Sequence, residues 1–187
     1  MANEKSNKKF EKSLIAAGFG GQGLLMLGQL VAYTGIDEGR NVSWIPSYGP
    51  EMRGGTANCC VIVSEAEIGA PVVSEADAIV VMNQPSFDKF KDSVKPGGFL
   101  FYNTDLIKPG DVRPDIKVVA IPANTMGTEI GSDRVANIVM LGALVEATGI
   151  VGDKACMETI KEKLGKRKPE FLPMNITAYE KGKALIK

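Results

Sequence analysis

A single three-layer α/β/α domain on a mixed, mostly parallel sheet is the fold this sequence predicts, and three observations predict it. Short apolar runs, such as Ser13-Leu-Ile-Ala-Ala17, alternate with stretches of helical spacing. The apolar fraction is 44% of 187 residues, enough for a real core in one domain of ordinary size. No internal repeat and no linker divides the chain. The domain is expected over residues 13–187, after a polar, lysine-rich stretch at 1–12 that reads as a disordered N-terminal tail.

In chain order, residues 13–17 read as a buried strand that stops at a glycine cluster. Leu24, Leu27, Leu30, Val31 and Ile36 then recur at helical spacing, with Gly39 as the stop. Residues 42–45 form a second strand, and Pro46-Ser-Tyr-Gly-Pro50 is expected to break regular structure. Residues 56–63 are β-rich, and a turn at Glu65-Ala-Glu67 predicts a hairpin with a short segment at Ile68, which would make the sheet mixed. A strand at 78–82, a short helix at 85–94 closed by Pro96-Gly97-Gly98, and strands at 99–102 and 118–121 follow. From Ser132 the chain turns helical. Ser132 or Asp133 caps a helix to Thr148 with Gly149 just beyond, and Asp153 caps another ending near Gly165. A basic, proline-bearing loop covers 166–173, and a last short helix covers 178–186.

Charge and composition exclude several classes of function. Lys plus Arg and Asp plus Glu are 22 each, so the net charge is zero and nothing suggests a nucleic-acid or membrane-surface footprint. No apolar run approaches the roughly 20 residues that span a bilayer, and no apolar segment behind the lysine-rich start makes it a signal peptide. The expected location is the cytoplasm. The chain has no histidine, which removes Ser-His-Asp and Cys-His catalysis together with every His-ligated metal site. Cys59 and Cys60, adjacent in a strand, point to opposite faces and cannot share a metal, and Cys156 stands apart. Reduced thiols, with no metal site in this chain, are the reading.

Residues 18–23 read Gly-Phe-Gly-Gly-Gln-Gly, a G-x-G-x-x-G turn with a strand before it and a helix after it. Glycines permit positive φ and close backbone approach, and the helix start offers unpaired N–H groups to an anion. Gly18, Gly20, Gly21, Gln22 and Gly23 are therefore candidate binding residues. A dinucleotide would want an acid at the end of the second strand to hold the ribose, but that stretch is Ser43-Trp-Ile-Pro-Ser-Tyr-Gly. No Lys-Ser/Thr pair follows the glycines, so the turn is not a P-loop either. The alternative is that the glycines only let the helix pack closely on the sheet.

Residues 47–55, Ser-Tyr-Gly-Pro-Glu-Met-Arg-Gly-Gly, form the second constellation. A loop after a strand of such a sheet lies at its carboxyl edge, where the glycine turn also lies, so the two are expected to be neighbours. Ser47, Tyr48, Arg53 and Gly54 join the candidate set, with the Arg53 guanidinium suited to fork onto a carboxylate or phosphate of a ligand or partner chain. Trp44 is expected in the core or at an interface.

These motifs carry a family. Gly-Phe-Gly-Gly-Gln-Gly-Leu at 18–24 and Ser-Tyr-Gly-Pro-Glu-Met-Arg-Gly-Gly-Thr-Ala-Asn at 47–58 resemble the γ subunit of 2-oxoacid:ferredoxin (acceptor) oxidoreductases. Asn83-Gln-Pro-Ser86, Lys95-Pro-Gly-Gly98 and Arg134-Val-Ala-Asn-Ile-Val-Met-Leu-Gly142 continue the resemblance in order. It implies a subunit inactive alone, within an enzyme that oxidatively decarboxylates a 2-oxoacid, forms acyl-coenzyme A and passes electrons to ferredoxin. Thiamine diphosphate, Mg2+ and the iron–sulfur clusters are then expected on sister subunits: α, β and, where present, a ferredoxin-like δ. The candidate residues would line the coenzyme A entry, or serve only the subunit interface. Tyr48, Met52 and Gly55 make the loop more like 2-oxoglutarate or branched-chain enzymes than like the pyruvate pattern Phe-Gly-Pro-Glu-Arg-Arg-Gly-Ala.

Overall fold

Strand β1 (Glu11–Phe19) is buried from residue 13 through 18, so both of its faces are covered. That is why its sequence is a continuous apolar run and does not alternate. The computed structural model describes residues 9–48, 56–166 and 168–186. β1 is followed by α1 (Leu24–Asp37), β2 (Asn41–Tyr48), β3 (Thr56–Ser64), β4 (Ala76–Val81), α2 (Gln84–Phe90), β5 (Val94–Asn103) and β6 (Lys117–Ile121). Then come α3 (Ala123–Ile130), α4 (Ala136–Thr148), α5 (Asp153–Gly165) and α6 (Leu172–Ala184).

The six strands lie in the order β2-β3-β1-β4-β5-β6. β1, β4, β5 and β6 are parallel neighbours, and β3 runs antiparallel to both β1 and β2. The predicted mixed, mostly parallel sheet is therefore present, but not through the predicted hairpin. Both edges of β3 are taken, Cys60 pairing with Ile15 on one side and Ile45 on the other, so no edge is left for the segment at Ile68.

Five further expectations are corrected. β2 runs through Pro46 and Ser47 to Tyr48. An edge strand tolerates proline because a nitrogen facing away from the sheet has no ladder bond to lose. β5 likewise runs through Pro96-Gly97-Gly98, with a register irregularity where it meets β4 between Ala76 and Ala78. Glu11 and Lys12, assigned to the tail, belong to β1, paired with Ser64 and Val63. Just before them, the Phe10 ring lies 4.1 Å from the Arg40 guanidinium. α3, unforeseen, occupies residues whose apolar spacing is too sparse to announce a helix, and α6 begins at Leu172, inside the expected loop.

The two faces of the sheet are covered unequally. α1 and α4 lie on one face, where Leu27, Val31, Ile138 and Leu141 join Leu14, Ala16, Val61 and Val80 in the larger core. Each fully buried aliphatic side chain of this kind contributes roughly 1.5–3 kcal/mol. The opposite face carries the smaller core, where Phe87 of α2 packs with Ile15, Ala17, Ile79 and Leu100. Cys59 belongs to the first face and Cys60 packs against the second, as their adjacency requires.

α4 is buried at every residue from Ala136 to Val145, because α6 covers the side that the sheet does not. This crossing needs glycine at both helices. A methyl on Gly182 would fall on the Val139 carbonyl, and one on Gly142 would fall on the Tyr179 carbonyl. Gly149 ends α4 in the left-handed conformation (φ 56°), as predicted. The Ser132 hydroxyl accepts from Arg134 N at 3.3 Å and so caps the short 3-10 turn that precedes the helix.

At the amino edge one carboxylate joins three strands. Asp77 Oδ2 accepts from Ser13 N (2.8 Å), Ser13 Oγ (2.7 Å) and Lys95 Nζ (2.8 Å). Burial pushes this carboxyl up, but the bonds from Lys95 and Ser13 outweigh it and hold it below the usual carboxylate range. A carboxyl lowered in the folded state adds stability above its unfolded pKa and loses it as pH falls through the folded value. Asp77→Asn should therefore lower stability at pH 7 and flatten the acid limb below about pH 4. Urea melts at pH 7, 5 and 3 would show this as a variant-minus-wild-type difference that shrinks on acidification. Gly182→Ala should cost about 1–3 kcal/mol by overpacking the α4–α6 crossing, read as a lower urea midpoint at unchanged slope.

Candidate functional site at the carboxyl edge

The glycine turn stands where the connections of two adjacent parallel strands part. β1 and β4 pair from Leu14↔Ala78 to Ala17↔Val81. From β1 the chain enters α1 on the larger-core face, and from β4 it enters α2 on the other. Departures to opposite faces leave a crevice beyond the carboxyl ends of the strands, where open α/β sheets bind ligands.

Four residues of the turn have a physical role there. Gly21 (φ 97°) and Gly23 (φ 77°) hold backbone conformations that other residues rarely adopt. Gly18 lies so near Met82 that a Cβ would stand 3.2 Å from the Met82 Cβ. Gln22 ties the crevice together: Phe19 N donates to its Oε1 at 2.7 Å, and its Nε2 donates to the Met82 carbonyl at 3.1 Å. Gly20 completes the turn. The glycines therefore serve close packing at Gly18 and an unusual backbone path at Gly21 and Gly23.

Sequence reasoning did not select Asn137, which reaches the glycine turn, or Asn83 and Ser86, which follow β4 at the same edge. Asn137 Nδ2, from the first turn of α4, donates to the Gly23 carbonyl at 3.0 Å, while its Oδ1 is buried without a partner. Asn83 Oδ1 accepts from Ser86 N at 2.8 Å and caps α2, leaving Asn83 Nδ2 and Ser86 Oγ buried and unpartnered. A buried polar group without a partner costs about 1–3 kcal/mol unless something supplies the missing bond. Two of these residues were visible in the sequence as Asn83-Gln-Pro-Ser86, and the third within the stretch that begins at Arg134. Nothing in the second stretch said that Asn137 meets the glycine turn.

The second constellation arrives at the same edge. Phe19, at the end of β1, pairs with Thr56, and Tyr48, at the end of β2, pairs with Ala57. The 49–55 connection thus leaves and rejoins the sheet beside the glycine turn. Ser47 is exposed on β2, and Arg53 and Gly54 lie outside the described residues. Because β3 stands between β1 and β2, the end of β2 is two strand spacings from the turn, about 9–10 Å. A dinucleotide ribose site on an adjacent second strand has no counterpart in this topology.

Trp44 packs against the larger core, and a Cβ on Gly28 of α1 would stand 3.2 Å from its Nε1. Burial raises the Cys59 thiol to about 12 and the Cys156 thiol to about 11, so both are protonated at neutral pH. Among the described residues no group of three or more His, Cys, Asp or Glu is placed to hold a metal ion. No helix among them is long and apolar enough to cross a membrane.

Comparison with known proteins defines the class. Residues 13–185 match the family model of pyruvate ferredoxin/flavodoxin oxidoreductase, and the chain belongs to that family. It is 41% identical over 170 residues to the ketoisovalerate oxidoreductase subunit VorA of Methanothermobacter thermautotrophicus, covering 89% of this chain and 34% of that protein. The chain thus spans about a third of the length of that relative. To the 2-oxoglutarate synthase subunit KorC of the same organism it is 34% identical, over 94% of this chain and 95% of the relative.

Among solved structures, the γ subunit of a keto/oxoacid ferredoxin oxidoreductase from Geobacter sulfurreducens superposes with a TM-score of 0.80. Identity is 29%, and 93% of this chain and 97% of that one are covered. A 2-oxoglutarate:ferredoxin oxidoreductase from Magnetococcus marinus, with 2-oxoglutarate, coenzyme A and succinyl-CoA bound, superposes at 0.86 with 28% identity. That match covers 94% of this chain and 31% of the other.

Gln22→Leu keeps the bulk of the side chain but leaves Phe19 N and the Met82 carbonyl without their partner. It should cost about 0.5–1.5 kcal/mol in urea unfolding, with hydrogen exchange fastest around residues 18–24 and 82–86.

Proposed function

We propose that this chain is the γ subunit of a 2-oxoacid:ferredoxin oxidoreductase that converts a 2-oxoacid, coenzyme A and oxidised ferredoxin to acyl-CoA, CO2 and reduced ferredoxin. The observation that carries this reading is similarity along nearly the whole length of both chains to subunits of such enzymes. Thiamine diphosphate, Mg2+ and iron–sulfur clusters then belong to the sister α, β and, where present, δ chains. The γ chain is non-catalytic, works in the cytoplasm and completes the assembly.

The preferred substrate in this reading is 2-oxoglutarate, supported by the full-length relative and by the Magnetococcus marinus enzyme. A branched-chain 2-oxoacid is the second reading, favoured by the higher identity to the ketoisovalerate subunit. Turnover of the enzyme purified with its sister chains decides between them. A kcat/KM for 2-oxoglutarate at least tenfold above that for 3-methyl-2-oxobutanoate is expected, and the reverse ratio would establish the second reading.

At the site, the crevice is proposed to line the coenzyme A entry. Gly21, open and at positive φ, the first-turn amides of α1 and the unmet groups of Asn83 and Asn137 suit a phosphate or amide of that ligand. Arg53 is proposed to ion-pair with an anionic group there. A purely structural role is the competing reading, favoured by the bonds Gln22 and Asn137 already make within the turn. In the assembled enzyme, Arg53→Ala and Gly21→Ala should each raise KM for coenzyme A about tenfold, as loss of roughly 1.4 kcal/mol of binding implies. KM for the 2-oxoacid should stay within twofold. If KM for coenzyme A is unchanged while subunit association weakens, the structural reading stands.

A further inference from the structure

Beside the crevice, on the larger-core face, a second feature has no part in the readings above. A half-open apolar groove of about 350 Å3 lies between the first turn of α1, the start of α4 and the connection from α5 to α6. Met26, Leu164, Phe171 and Met174 wall it, each partly exposed, and Arg134 and Lys168 stand at its rim. Lys168 Nζ lies 5.6 Å from the centre of the Phe171 ring, so one cation is held directly over an apolar wall. Among the described residues, neither Arg134 nor Lys168 is ion-paired with a carboxylate.

The chemistry of these walls specifies an occupant. Methionine is unbranched and polarisable, so a Met-walled groove adapts to an inserted apolar side chain better than a branched aliphatic one would. Contiguous apolar surface rimmed by polar groups marks interaction sites, and hot spots at interfaces are apolar anchors seated in such recesses. Exposed rim cations with no carboxylate of their own attract an acidic partner on approach and set its register, while burying little charge. A membrane is a poor fit, because the whole chain is neutral and the groove is a recess.

We propose that this groove receives an acidic, apolar segment of a sister subunit: one apolar side chain enters between Met26 and Met174, and a neighbouring carboxylate meets Arg134 and Lys168. The proposal rests on the γ-subunit reading and extends it by assigning a docking surface. The same family region forms about a third of the ketoisovalerate oxidoreductase subunit, so there it is covalently joined to further chain, which supports a neighbour at close quarters.

The test uses the full chain, free and assembled with its sister subunits. Lys168→Cys and, as a control at the far end of α5, Lys154→Cys are labelled with a maleimide, and the rates are read by peptide mapping. Assembly should slow labelling at position 168 at least tenfold and leave position 154 within twofold. In competition with wild type for the sister chains, Arg134→Glu combined with Lys168→Glu should weaken association at least tenfold at low salt, with the difference fading as salt is raised. Both substitutions are at exposed positions, and matching circular dichroism spectra and urea midpoints establish that the fold is kept.

Unchanged association and unslowed labelling at 168, in a chain that still captures its sisters, would overturn the docking surface and leave the subunit reading intact. Protection of position 168 in the free chain by coenzyme A alone would overturn it in favour of a small-molecule site. A wild-type chain that captures no thiamine-binding subunit would overturn both.

Discussion

The parallel pairing of β1 with β4 is the constraint from which the rest of the structure follows. Both strands are buried on both faces, so their register, Leu14 on Ala78 through Ala17 on Val81, cannot slip without dragging a two-sided core with it. With that register set, the chain must leave β1 and β4 at the same edge, and it leaves to opposite faces. The crevice is the gap between those departures, and Gly18 and Gln22 are there because two backbones come close enough to need a missing Cβ and a side-chain tie.

A second consequence is the unequal layering. One face carries α1 and α4 with a further helix, α6, stacked outside α4, while α2 covers only part of the other. A helix as apolar all round as α4 is tolerated only when something lies on each side of it, and the glycine contacts at Gly142 and Gly182 bring α6 close enough to be that cover. Asn137, buried within this apolar helix, spends one amide hydrogen on the Gly23 carbonyl. The extra helical layer and the glycine turn are thereby coupled through a single side chain. The connection from α5 to α6 also shapes the Met26–Met174 groove, so the same layer bounds both the crevice and the proposed docking surface.

Much of the fold was legible because local signals and tertiary demands agreed. Strand 13–17, the helix from Leu24, strand 78–82 and the helix ending at Gly149 all carry patterns that their surroundings reinforce. The misreadings have separate causes. Pro46 and Pro96-Gly97-Gly98 are breakers by local rule, yet they sit within strands because an edge position or a register irregularity removed the bond that proline would have lost. The hairpin at Ile68 failed because β3 pairs with strands far from it in sequence, and no short-range pattern encodes which edges are already taken.

From the sequence alone came the class of fold, the glycine turn in its strand–helix setting, the exclusion of histidine chemistry and the motifs that carry the family. These depend on residue type and short spacing, which a linear chain displays in full. Only the tertiary structure decided that β3 separates β2 from β1, that Asn137 reaches the glycine turn, and that Met26 and Met174 line one groove. Those facts join residues up to about 150 positions apart (Met26 and Met174 in the groove), and long-range proximity is set by packing of whole elements, not by neighbours in the chain.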